Sequence, residues 1–394
     1  MSMFSHENIK FDVLKERAYN MRWAEVEEGI IPLTSADLDF PVAPEIVEDL
    51  IDYIKEGYFS YTPKLGLPKC KQSIANALKR RKNVNVNPEL VLPIDSVARG
   101  MFIIAEAVLS PGDEVIVFDP VDYLFKESVV VAGATPVLYP IELDVQGNIR
   151  LDKLEDYITE KTKMICFCNP HNPLGKLYPM KDLDGLLKLA EKYDLWIMND
   201  EIWSDIVYEG EKFNSLLELG NERNKKTISV YGFSKSFGIA GLRAGCIYVQ
   251  DEEIFKKIVD KAHVISTAGG ITSLSQIAII ACMDKCYYWL DEFMKHLEKN
   301  RDYALERINA MPKISCNKPQ ATFLLFPDIR ETGMDSDSFV KYLKDEHQLL
   351  IVPGSSDFFG PGSEGHVRIT FSTSFEILKE GLDRLENALK ALNK

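Results

Sequence analysis

The sequence has no long apolar run. Its longest apolar stretches, such as EVIVF at 114–118 and KMICFC at 163–168, fall far short of the eighteen or so residues that cross a bilayer, so no membrane span is expected. It is also poor in positive charge. Its 46 Lys and Arg stand against 60 Asp and Glu, giving a formal net charge of −14, which repels phosphate backbones. The one basic run, Lys79 to Lys82, sits at a predicted helix end rather than on a face interleaved with aromatics, and nucleic acid is not expected as a partner. The opening residues, MSMFSHENIKFDVLKE, carry charges where a signal peptide needs an apolar core, so the expected location is the cytoplasm. Seven cysteines are an odd number for an intramolecular disulfide framework. The placing of Cys166, Cys168 and Cys246 in apolar runs suits small hydrophobes in a reducing compartment. Cys282 and Cys286 lie four apart with no His or Cys nearby to complete a metal site, and no metal is expected.

What is present is the composition of a folded globular chain: 394 residues, 46% hydrophobic and 27% charged. That length predicts a large domain with a smaller companion. From about Pro88, short β-branched runs alternate with helical patterns: LVLPI, EVIVFDP, TPVLYP, KMICFC, LWIMND, TISVYG and AGCIYV are separated by helices near 97–109 and 180–193. This alternation predicts an α/β fold, with a mostly parallel sheet covered by helices on both faces. Ligands of such sheets gather at the carboxyl ends of the strands. From about Asp284 the pattern turns to a long helix, three short strands (ATFLLFP, LLIVPG and HVRITFS) and a terminal amphipathic helix, which predicts a smaller α+β domain. The expected division is residues 48–284 for the large domain and 285–394 for the small one, with 1–47 packing against the latter. There is no internal repeat and no low-complexity linker.

Three strand ends carry candidate chemistry. In SVYGFSKSFGIAGLRAG, Ser229 to Gly245, a buried run leads into Lys235 between two serines, with Arg243 and three glycines after it. A lysine held there, partly desolvated and near another cation, favours its free amine and can attack a carbonyl; a single lysine is otherwise most often a solvated loop residue. NDEIW at 199–203 puts Asp200 at the end of an apolar strand, where a buried carboxylate needs a cation or donors. NPHNPLG at 169–175 holds Asn172 between two prolines. Taken singly, Asp200 reads as well as a helix cap and Asn172 as a turn residue. Three such ends in one sheet fit a single ligand site better.

NPHNPLG, NDEIW and SKSFGIAGLRAG, together with YTPKLGLP at 61–68 and VRITFS at 367–372, resemble the pyridoxal-phosphate enzymes of fold type I, in the class I/II aminotransferase group. The likeness spans almost the whole chain. It implies a pyridoxal 5'-phosphate cofactor and an aminotransferase that moves an amino group between an amino acid and a 2-oxo acid through a Lys235 Schiff base. Asp200 would hold the ring nitrogen protonated, and Asn172 would bond the ring's phenolic oxygen and contact the substrate. Ser234, Arg243 and the backbone of Ser96, Val97 and Ala98 would bind the phosphate. Tyr61 would reach the phosphate of a neighbouring subunit, which implies a homodimer with shared sites. Arg368 would grip the substrate carboxylate, with Ala36 as a further substrate contact.

Three positions depart from the family pattern. Trp203 stands where a tyrosine is usual, Asp95 where many relatives have glycine, and DPVDYLF offers Asp122 and then Tyr123 where one aromatic would stack on the ring. Other stretches, ADLDF at 36–40, the histidine of NPHNP and WLDEFMKHLEKNRD at 289–302, resemble the MalY/PatB-type carbon–sulfur lyases. β-Elimination from a cysteine- or cystathionine-type substrate is therefore the alternative reaction. A non-catalytic pyridoxal-phosphate-binding regulator is a third reading.

Overall fold

The computed structural model describes residues 3–219 and 225–392; the first two residues of the N-terminal segment and the last two of the C-terminal part lie outside them. In chain order the strands are Ile31–Pro32 (β1), Val91–Ile94 (β2), Glu114–Asp119 (β3), Thr135–Pro140 (β4), Thr162–Cys168 (β5), Trp196–Asp200 (β6), Thr227–Gly232 (β7) and Gly245–Tyr248 (β8), then Leu324–Leu325 (β9), Leu349–Leu350 (β10), Val352–Pro353 (β11) and Val367–Thr370 (β12). The runs picked out between residues 91 and 248 join in one seven-stranded sheet, ordered β2-β8-β7-β6-β5-β3-β4. All of its pairings are parallel except those of β8, which runs antiparallel to both β2 and β7.

Successive residues of a strand point to opposite faces, and here the two faces meet different cores. Val91, Tyr231, Cys246 and Tyr248 pack into one cluster, while their neighbours Leu92, Val230 and Ile247 pack into the other. Burial on both sides explains why these strands read as continuous apolar runs instead of alternating ones.

Helix starts follow the capping chemistry of the sequence. Ser96 caps Val97–Val108 by accepting the Arg99 N–H, Thr272 caps Ser273–Lys285, and Ser374 caps Phe375–Ala391. Pro68 opens Pro68–Lys82, which stops where Asn83 turns left-handed at φ 54.

In the C-terminal part, β11, β12 and β9 form a small antiparallel sheet, packed with the helices Tyr287–Ala310, Ser336–His347 and Phe375–Ala391. The N-terminal segment is tied to this part. β1 pairs in parallel with β10, and Phe4 lies about 5 Å, ring to ring, from both Trp289 and Phe293. Beneath it Arg22 and Asp39 form a fully buried ion pair, with the Trp23 indole N–H also donating to Asp39. Residues 354–363 bridge to the large sheet: Val121 and Tyr123 donate their N–H groups to the carbonyls of Phe359 and Phe358, and Gly362 donates to both oxygens of Asp119.

Candidate active site

The sheet order brings the carboxyl ends of β5, β6 and β7 side by side, with Cys168 opposite Asp200 and Asp200 opposite Val230. Because β8 reverses direction, β2 also ends at this edge, and the N-terminus of Val97–Val108 arrives beside Lys235. Gly245 sits between Ile94 and Gly232 in the ladders. A Cβ on Gly245 would come within 3.0 Å of the Val97 nitrogen and 3.1 Å of the Ser96 carbonyl carbon, so only glycine lets the helix start approach so closely.

Lys235 lies in the four-residue helix Ser234–Phe237, closed by Gly238 at φ 70. Its Nζ donates to the Ala36 carbonyl at 2.5 Å and lies 5.7 Å from the centroid of the Trp203 ring. Burial pulls the ammonium below its ordinary lysine range, opposed by the charge of Asp37 and reinforced by that of Arg368. Its hold on the proton is weakened accordingly. Behind it, Ser236 donates to Asp205 at 3.1 Å, Tyr231 donates to the same carboxylate, and Lys82 lies 3.5 Å away from it. Lys82 ends the basic run of the sequence, yet its side chain is buried and sits 3.9 Å from the Tyr231 ring centroid. This network ties the Lys235 turn to the loop after Asp200, and nothing in the residue pattern announced it.

Asp200 is buried at the end of β6 and accepts the Ile202 N–H at 2.9 Å. It therefore makes the helix-cap-like contact and also faces the cavity. Burial pushes its carboxyl up to about 7, the Ile202 bond opposes this, and the charges of Asp122 and Glu201 add to it. A buried carboxylate in that state has high affinity for a cationic ligand group. Glu201, fully buried beside it, accepts from Asn199, Ser215 and Tyr248.

Asn172 donates to Asp122 at 3.1 Å, and its carbonyl oxygen receives a long contact of 3.5 Å from Arg368. The second Arg368 contact, to the Thr34 carbonyl, is also 3.5 Å, and its Nε has no partner among the described residues. This guanidinium, 5.0 Å from the Phe359 ring, is placed with its donors nearly unspent.

At the other end of the cavity, Val97 and Ala98 open a helix whose first N–H groups have no intrahelical acceptor. Ser234 lines the cavity with them, and Arg243 is exposed with no carboxylate partner among the described residues. These groups and the Gly245 approach make a cradle for an anion.

One cavity of about 470 Å³ is lined by Ala36, Ser96, Val97, Ala98, Tyr123, Asn172, Asp200, Trp203, Ser234, Lys235, Arg243 and Arg368, so every site residue expected from the sequence meets there except Tyr61. Tyr61 is 92% exposed and stands apart from it. Asp95 and Asp122 line the cavity too. Tyr123 is 45% exposed, while Asp122 turns inward to Asn172. Of the two candidates in DPVDYLF it is the aspartate that is engaged. The sequence reading missed Met21, Phe358 and Phe359, which also line the cavity. The paired aromatics in SSDFFGPG, close before the arginine strand, were an available signal for the last two; Met21 had none.

A desolvated lysine, a buried carboxylate suited to a ring cation and a group of anion-binding donors in one cavity form a donor set that fits pyridoxal 5'-phosphate. The family model "Aminotransferase class I and II" matches residues 28–385. The chain belongs to the class I and II aminotransferases. It is 31% identical over 365 residues to an aspartate aminotransferase of Pyrococcus abyssi, covering 92% of both chains. It is 30% identical to aromatic-amino-acid aminotransferase 2 of Thermococcus litoralis, with the same coverage. The crystal structure of cystalysin from Treponema denticola, which contains a pyridoxal 5'-phosphate cofactor, superposes with a TM-score of 0.91 at 25% identity over 100% of both chains. The protein is thus a pyridoxal-phosphate-dependent aminotransferase of fold type I. No described helix is long and apolar enough to cross a membrane, and no described group of three or more His, Cys, Asp or Glu is placed to hold a metal ion.

Proposed function

We propose that this aminotransferase acts on monocarboxylic amino acids and their 2-oxo acids, with the cavity residues in the following roles. The observation that carries this reading is the unspent guanidinium of Arg368 in the same cavity as the Lys235 amine and Asp200. Pyridoxal phosphate supplies an electron sink for the charge left when the substrate loses its Cα proton. Arg368 takes the α-carboxylate with two parallel N–H bonds and, with Asn172, fixes the orientation of the Cα–H. Lys235 Nζ removes that proton and delivers it back, which its weakened hold on a proton favours. Asp200 holds a proton on the ring nitrogen. Ser234, Arg243 and the N–H groups of Val97 and Ala98 anchor the phosphate, and Trp203 walls the site.

The cleft would lie between residues 48–284 and 285–394, the latter joined by 1–47. We further propose a homodimer, in which Tyr61 serves the neighbouring site. Its near-complete exposure, together with that of Tyr58 and Phe59, supports a surface that a second copy covers. A cytoplasmic location agrees with seven free cysteines, six of them buried.

The test supplies single amino acids to the holoenzyme. With a 2-oxo acid acceptor present, turnover is expected to be sustained; without one, product should stop at about one equivalent per site. Sustained release of pyruvate and ammonia from cysteine or cystathionine without acceptor would overturn transamination in favour of β-elimination.

A further inference from the structure

Asp122 stands in the cavity without a part in the roles above. One carboxylate oxygen accepts the Leu124 N–H at 3.2 Å, capping the helix Tyr123–Val131, and the other accepts the Asn172 amide at 3.1 Å. Held at both oxygens, it cannot swing out of the site. Asn172 in turn receives Arg368, so the carboxylate lies one hydrogen-bonded residue away from the grip on the substrate.

The cations of the cavity are already committed. Lys235 serves the cofactor end, Arg243 lies with Ser96 and Ser234 at the anion cradle, and Arg368 takes the α-carboxylate. No other Lys or Arg lines the cavity among the described residues. The charges that face Lys235 are three carboxylates, Asp37, Asp122 and Asp200, against one cation, Arg368. A second carboxylate on a substrate would find no free partner among the described residues of its own chain and would face the charge of Asp122. A cationic or hydrogen-donating side chain would find an acceptor there, with Met21, Leu124 and Phe358 offering apolar surface to its methylene stem.

We propose that Asp122 determines side-chain specificity: it excludes amino acids with acidic side chains and favours those whose side chain ends in a cation or hydrogen-bond donor. This rests on the assignment of Arg368 to the α-carboxylate. It parts the chain from its Pyrococcus abyssi relative, which is named for aspartate.

The experiment compares kcat/KM of the holoenzyme for lysine and ornithine with that for aspartate and glutamate, in the native protein and in Asp122→Asn and Asp122→Ser. Both replacements keep an oxygen able to cap the helix, and the cofactor's visible band reports that each variant is folded and loaded. The native enzyme should prefer the basic substrates by at least about a hundredfold, the scale of a like-charge penalty in a partly desolvated site. Both variants should shrink that ratio at least about tenfold, chiefly by gaining activity on the acidic substrates. Native activity on aspartate equal to that on lysine, or a ratio unchanged in both loaded variants, overturns the proposal while leaving the aminotransferase assignment standing. Failure of every amino acid tested to alter the visible band overturns the roles of Arg368 and Lys235 as well.

Discussion

Removing Arg368 separates substrate recognition from folding. Among the described residues its guanidinium makes only two hydrogen bonds, both at the 3.5 Å limit, lies 5.0 Å from the Phe359 ring, and has one nitrogen without a partner. Such long contacts contribute little, so Arg368→Ala should lower stability by no more than about 1 kcal/mol. Toward substrate the expected loss is large, because the charge-assisted, two-pronged pair proposed for Arg368 would be worth about 2–5 kcal/mol in a half-buried cleft. At 1.4 kcal/mol per factor of ten, kcat/KM should fall about 30- to 4,000-fold. Both KM and kcat should worsen, since the proposed contact would also aim the Cα–H at Lys235. Arg368→Lys should regain only part of the loss, as an ammonium cannot reproduce the planar fork. The assay is steady-state kinetics with the best amino acid, alongside the cofactor's visible band and a urea midpoint. Loss of the cofactor with substrate affinity intact would refute the reasoning, as would a kcat/KM within a few-fold of native.

The buried Asp200 predicts a pH effect in the cofactor-free protein. Its carboxyl is raised from 3.8 to about 7, so its contribution to stability is fully present below the lower value and is lost as pH rises through the upper one. Asp200→Asn should therefore gain on the native protein in thermal midpoint from about pH 4.5 to about pH 7.5 and then level off; a difference independent of pH would contradict this. His171, buried and pushed down to about 3, gives a slope of opposite sign but is present in both proteins and cancels. Asp205→Asn, which keeps an acceptor for Tyr231 and Ser236, removes the counter-ion of the buried Lys82 and should cost about 3–5 kcal/mol by urea unfolding, while adding Lys82→Met should restore more than half. A cost under about 1 kcal/mol would show that the pair holds nothing. Gly245→Ala drives a methyl against the Ser96 and Val97 backbone, which cannot swing aside, and should weaken cofactor affinity at least about tenfold in a fluorescence titration. Unchanged affinity would remove this helix start from the anion cradle.

The sheet was legible because its strands are buried on both faces: runs such as EVIVFD and KMICFC leave little alternative to a covered, largely parallel sheet. The antiparallel placing of β8 was not legible, since an apolar run carries no direction. Lys235, Asp200 and Asn172 could be picked out because each follows such a run, and Arg368 only through the resemblance of VRITFS to the family's motif. What escaped was chemistry made by tertiary approach. Lys82 reads as the end of a solvated basic run, and only the packing of Pro68–Lys82 puts it against Tyr231 and Asp205. Phe358 and Phe359 reach the site through backbone bonds from another part of the chain. Asp122 and Tyr123 are adjacent in sequence and equally plausible as site residues; the capping bond at Leu124 selects which of them turns inward.

Lys235 is the residue assigned to join the cofactor. Borohydride reduction of the holoenzyme, followed by peptide mapping, tests it most directly, because reduction fixes the cofactor to whichever amine holds it. The pyridoxyl label should lie on Lys235 in the native protein and be absent from Lys235→Ala, which should also lose turnover while keeping its fold. A label on any other lysine, or multiple turnover by Lys235→Ala, would exclude Lys235 from that role.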